Sequence, residues 1–231
     1  MPSSNTLLAE PLGPSLGIHA QLPILLAEYP FRTKQDIADY LHLLQDLPRY
    51  FSDLIALEQE KSRQGVFQND LAVDGIIRQC SAFLADADTP ESHLLHTVFQ
   101  NKLQASSLFS EAERNLCLQT HEKLLISCVF PAYRSLSDAL SSLRGKGTQN
   151  AGGLFRQEGG LSYYAYLLRS RVGVDASPEE LTRLLTQQLA DQCAEMQIIL
   201  DQNPSLSLSE QALVLPFSTP EEMLADLQNA V

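Results

Sequence analysis

Zinc-peptidase chemistry needs two histidines one helical turn apart with a glutamate between them. In that His-Glu-x-x-His spacing both imidazoles face one metal and the carboxylate can deprotonate its bound water. The nearest approach in this chain is His121-Glu122-Lys123-Leu124-Leu125, with leucine where the second ligand belongs, and it does not read as a metal site. His93 and His96 share a helix face at i, i+3 spacing, with Glu91 nearby as a third ligand. They are the outside metal candidate, set against the ordinary reading of one exposed and one half-buried histidine. No serine or cysteine stands in a nucleophile-elbow or Cys/His context. Cys80, Cys117, Cys128 and Cys193 have no C-x-x-C spacing and read as reduced, buried thiols.

Glycine supplies the remaining candidates. Four glycines in the nine residues 145–153 cannot hold a helix, and Gly145-Lys146-Gly147-Thr148 lacks the spacing of a Walker loop. The stretch reads as a flexible connection whose backbone amides could still hold an anion. Further on, Gly159 and Gly160 precede Tyr163, Tyr164 and Tyr166. Paired glycines let another backbone approach, and tyrosines offer a hydroxyl on an apolar body. Gly159, Gly160, Tyr163 and Tyr164 are therefore candidates for a substrate-cleft wall, with plain helix packing and rim tyrosines as the alternative.

The elements that position these residues are helical. Thr33 with Asp36, Ser110 with Glu113, and Ser177-Pro178 with Glu180 are capping-box starts, and Asn69 is a further N-cap. Thr89-Pro90 opens another helix through Leu94, Leu95, Val98, Phe99 and Leu103, and Thr219-Pro220 opens a last one carrying Met223, Leu224 and Leu227. Pro48 is expected to stop the helix begun at Thr33, and Gly65 to close the one that follows. Pro131 predicts a kink or break near residues 128–130. Pro23 and Pro30 argue against a continuous helix in the apolar stretch before Thr33. The expectation is an all-α, irregular array of about seven to eight helices. An irregular apolar arm, 1–32, precedes a single helical domain, 33–231, whose main loop is 145–160.

Of the 231 residues, 28 are Asp or Glu and 16 Lys or Arg, a formal charge of −12 that excludes a broadly basic nucleic-acid surface. With 44% hydrophobic residues the chain can bury a core. No secretory signal or bilayer-spanning stretch is visible, so the chain as given reads as cytoplasmic, without nucleic-acid or membrane partners.

Four stretches carry a family resemblance. They are Gly17-Ile18-His19-Ala20-Gln21-Leu22-Pro23-Ile24-Leu25-Leu26-Ala27-Glu28-Tyr29-Pro30-Phe31, Asp36-Ile37-Ala38-Asp39-Tyr40-Leu41, Phe130-Pro131-Ala132-Tyr133-Arg134-Ser135-Leu136, and residues 153–164. In content, order and spacing they resemble the family called "domain of unknown function 885". The resemblance implies a large, mainly helical fold similar to zinc metallopeptidases, with the His-Glu-x-x-His motif in a C-terminal half. On that basis this chain is expected to be a middle segment, inactive alone, with zinc only in a complete relative. Its expected partner is the remainder of such a fold, with self-association when that is missing. The alternatives are a stand-alone acidic helical module that binds a protein partner, and a metalloenzyme built on His93 and His96.

Overall fold

The computed structural model describes residues 7–147 and 153–203. Its helices are α1 (Ile18–Glu28), α2 (Lys34–Arg63), α3 (Asp70–Phe83), α4 (Leu94–Ala105), α5 (Glu111–Leu124), α6 (Phe130–Leu143), α7 (Gly160–Leu167) and α8 (Pro178–Gln202). The architecture is all-α, with no strand among the described residues. Where one domain over 33–231 was expected, the contacts divide the chain into two units, residues 1–173 and 174–231. The second contributes α8, and the expected helix after Thr219 lies outside the described residues.

Local capping chemistry starts the helices where the sequence places it. Thr33 accepts from the Asp36 amide while the Asp36 carboxylate takes the Thr33 amide, and Ser110/Glu113 and Ser177/Glu180 repeat the exchange. Asn69 accepts from the Ala72 amide at 3.0 Å. The fourth start differs: Pro90–Ser92 is a 3-10 turn, and His93 caps α4 by accepting from Leu95. A histidine acceptor displaces the threonine because its ring is buried beside the helix end, where Thr89 is not.

Prolines behave differently from the expectation at two places and as expected at a third. The 1–32 arm is not irregular throughout, because α1 runs through Pro23. Pro23 has no N–H for the His19 carbonyl, and the buried Tyr133 hydroxyl donates to that oxygen instead, at 2.7 Å. Lys102 then closes the far end of α1, donating to the Ala27 and Tyr29 carbonyls with its ammonium 5.2 Å from the Phe31 ring centre. Pro48 does not stop α2 either. Leu44, Leu47, Phe51 and Leu54 are buried on either side of it, so burial of one continuous face outweighs the lost backbone bond. At Pro131 the geometry does change: residues Leu125–Val129 form a π turn joining α5 to α6.

α2 ends as Gly65 predicts, at φ +71°, with Val66 donating to the Lys61 carbonyl and Gly65 to that of Ser62. The core lies among α2, α3 and α4–α6 and includes the aromatic residues Tyr40, Phe51, Phe67, Phe99, Phe130 and Tyr133. Cys80 lies inside it, but Cys117 and Cys128 are only partly buried and Cys193 is exposed, on a helix with no buried side chain. Tyr133→Phe is expected to cost about 1–3 kcal/mol, the penalty for leaving the buried His19 carbonyl without a donor. Urea unfolding followed by circular dichroism measures it, and a midpoint equal to wild type would remove this account of the proline.

Candidate functional site

The segment between α2 and α3 and the chain before α1 build a cleft together with α7. Its volume is about 410 Å³, within the range of small-molecule sites. It is lined by Leu8 and Glu10, by Val66, Gln68 and Asn69, and by Gly153, Leu154, Gln157, Tyr163, Leu167 and Arg171. Tyr163, Leu167 and Arg171 line the same wall because they are four residues apart along α7 and the π turn Leu168–Val172 that extends it.

Glycines set the shape of that wall. Gly159 stands at φ +72° immediately before α7, a left-handed conformation that residues with a side chain avoid. A Cβ on Gly160 would lie 1.7 Å from the Leu154 carbonyl oxygen, so only glycine lets the 3-10 turn Gly153–Arg156 fold against the helix start. A Cβ on Gly147 would lie 1.9 Å from the Gln68 backbone carbonyl oxygen, so that close approach likewise requires glycine.

Of the four expected wall residues, Tyr163 lines the cleft and Gly159 and Gly160 shape it from behind. Tyr164 does not line it and is 40% exposed. It follows Tyr163 by about 100° of helix rotation and so belongs to another face. The Tyr163 phenol is pushed up from its ordinary pKa, first by burial and then by Tyr166 and Glu10, against the pull of Arg171.

Behind Glu10 lies a charge cluster that sequence reasoning missed. Lys61 and Glu58 are both fully buried. The Lys61 ammonium donates to the Ala9 carbonyl at 3.0 Å and to Glu10 Oε2 at 2.9 Å, and stands 3.6 Å from Glu58 Oε2. Neither Glu58 oxygen has a hydrogen-bond donor. Burial pushes the Glu58 carboxyl up to about 7, with Lys61 opposing and Glu10 reinforcing. The available signal was register: Phe51, Leu54, Glu58 and Lys61 continue one face at spacings of three and four.

The histidines form a second buried cluster. His93 and His96 are both buried, so the reading of one exposed and one half-buried residue is corrected. His93 Nδ1 accepts from the Leu95 amide, so the proton is on Nε2, which donates to the Phe83 carbonyl at 3.0 Å. No lone pair remains on His93 for a metal in this arrangement. His96 instead meets His121, Nδ1 to Nδ1 at 3.4 Å, and His121 Nε2 lies 3.2 Å from the Tyr40 hydroxyl. The Phe99 and Tyr40 rings both stack parallel to the His121 ring. Burial, then His96 and His93, push His121 down to about 3. Leu125 occupies the position of the second ligand after His121, and no group of three His, Cys, Asp or Glu side chains that could hold a metal forms among the described residues.

This all-α array with a glycine-shaped side cleft has a family. The model for the bacterial protein of unknown function DUF885 matches residues 4–230, and the chain belongs to that family. The fold is similar to the crystal structure of "the putative lipoprotein from Colwellia psychrerythraea", with a TM-score of 0.81 and 18% identity. That likeness covers 95% of this chain and 39% of the other, so the chain spans about two-fifths of its solved neighbour. No curated protein matches the chain. No helix among the described residues is long and apolar enough to cross a membrane.

Proposed function

We propose that this chain is a non-catalytic helical segment of a zinc-metallopeptidase-like protein, forming scaffold and cleft wall for a catalytic half carried by other residues. One observation carries the reading. α8 has 25 residues and none of them is buried, and Leu184, Leu185, Leu189, Met196, Ile198 and Ile199 are all exposed. Most of these residues fall on one stripe, which stabilises a helix only when something covers it. A neighbour whose chain continues well beyond the matched 39% supports a covering layer from the rest of such a fold. Zinc would belong to that other half.

The second reading is a stand-alone acidic module that docks a protein partner, favoured by the exposed Ile24 and Leu25 on α1. The proposed setting is the cytoplasm, and fractionation of producing cells tests it against the envelope location that the neighbour's description suggests.

Size-exclusion chromatography with light scattering, on metal-analysed protein, tests the scaffold reading. The expected result is a metal-free chain that self-associates and becomes monodisperse when Leu185, Leu189 and Ile199 are replaced by lysine. A monodisperse metal-free wild type would transfer the case to the interaction module. Zinc near one per chain would overturn both.

A further inference from the structure

Several polar groups of the cleft offer donors. Arg171 carries a fixed positive charge, and Tyr163 offers a hydroxyl. Asn69 has committed its Oδ1 to the Ala72 amide, which leaves its NH₂ as the unused half. Gln68, also in the lining, is buried and its Nε2 has no acceptor. The carboxylate in the lining, Glu10, is already answered by Lys61. A cationic ligand would have to compete with that buried ammonium, whereas Arg171, exposed in the lining, offers an anion a full positive charge. Between these groups, Val66, Leu154 and Leu167 supply an apolar surface. In a chain of net charge −12, a cleft arranged in this way selects for one negative charge on an apolar body.

We propose that the cleft binds a small organic carboxylate with an aliphatic body. The carboxylate sits on Arg171 and the Tyr163 hydroxyl, and the aliphatic part lies against Val66, Leu154 and Leu167. The inference does not rest on the scaffold reading, because every residue it uses lies within the first unit, 1–173.

Isothermal titration of the full chain at neutral pH with hexanoate, butanoate and hexanamide tests it. Hexanoate is expected to bind saturably at one site, and butanoate to bind more weakly by about fourfold for each methylene removed. Hexanamide, which keeps the body and loses the charge, is expected to be at least tenfold weaker. Arg171→Gln, at an exposed position, is expected to weaken hexanoate at least tenfold while leaving the thermal unfolding curve unchanged. Tyr163→Phe is expected to weaken it by a smaller factor. The proposal is overturned if hexanoate gives no saturable heat up to about 10 mM, where even a weak specific site would fill. It is equally overturned if hexanamide binds as well as hexanoate, or if Arg171→Gln retains wild-type affinity.

Discussion

Lys61→Met is expected to lower stability at neutral pH by about 3–5 kcal/mol, the usual cost of removing one member of a buried charge cluster. The ammonium is fully buried and holds the Ala9 carbonyl, the Glu10 carboxylate and the approach to Glu58. Without it, Glu58 loses its counter-charge. Lys61→Met together with Glu58→Leu removes both charges and should recover most of the loss, because apolar side chains of similar size need no partner. Urea midpoints of the two variants and wild type check this, and a single-variant loss below about 1 kcal/mol would show that the cluster does not hold the chain before α1.

Glu58 also sets a pH dependence. Its carboxyl keeps its proton up to about 7 in the folded chain and would release it near 4.5 when unfolded. The folded state therefore binds more protons between those values. Stability from this group falls as pH rises from 4.5 to 7, by on the order of 3 kcal/mol, and is level above. Glu58→Gln should abolish that fall.

The second large effect has the opposite sign. His121 stays neutral in the folded chain down to about 3 but takes a proton near 6.5 when unfolded. The unfolded state binds more protons across that interval, so stability falls as pH drops from 6.5 towards 3, by on the order of 4–5 kcal/mol. His19, His93 and His96 are also pushed down, chiefly by burial, and add in the same direction. His121→Phe combined with Tyr40→Phe retains the stacked rings and removes the titrating group and its hydroxyl partner. This double variant should be less stable than wild type at pH 7, by about 1–2 kcal/mol for the unpaired His96 nitrogen and altered packing. Its profile should be flatter on the acid side, so that the two curves cross before pH 4. Denaturant midpoints across the pH range decide it, and parallel curves would refute the assignment to His121.

What could be read from the sequence follows the distance over which each effect acts. The capping boxes of α2, α5 and α8 were legible because Thr33/Asp36, Ser110/Glu113 and Ser177/Glu180 settle their bonds within four residues. Pro23 was misread because the fate of the His19 carbonyl is decided by Tyr133, 114 positions away. Tyr163 was found from the glycines beside it. Arg171, Glu10 and Lys61 were missed because they meet only after three separated stretches fold together. The family-resembling stretches around Tyr29, Phe31, Tyr40 and Tyr133 place aromatic and hydrogen-bonding groups in the core or against it. Those motifs record how α1 packs.

The exchange at Pro23 also governs the order of events during folding. An ordinary helix closes its own bonds within microseconds, before distant parts of the chain meet. α1 cannot complete its set locally, since one of its carbonyls waits for a hydroxyl from α6. As an isolated peptide the 18–28 segment should therefore be mostly non-helical, and in the whole chain its structure should mature after α2 and α6 have associated. Contacts of such wide separation slow folding. Mutations in α1 are thus expected to accelerate unfolding while leaving the refolding rate nearly unchanged.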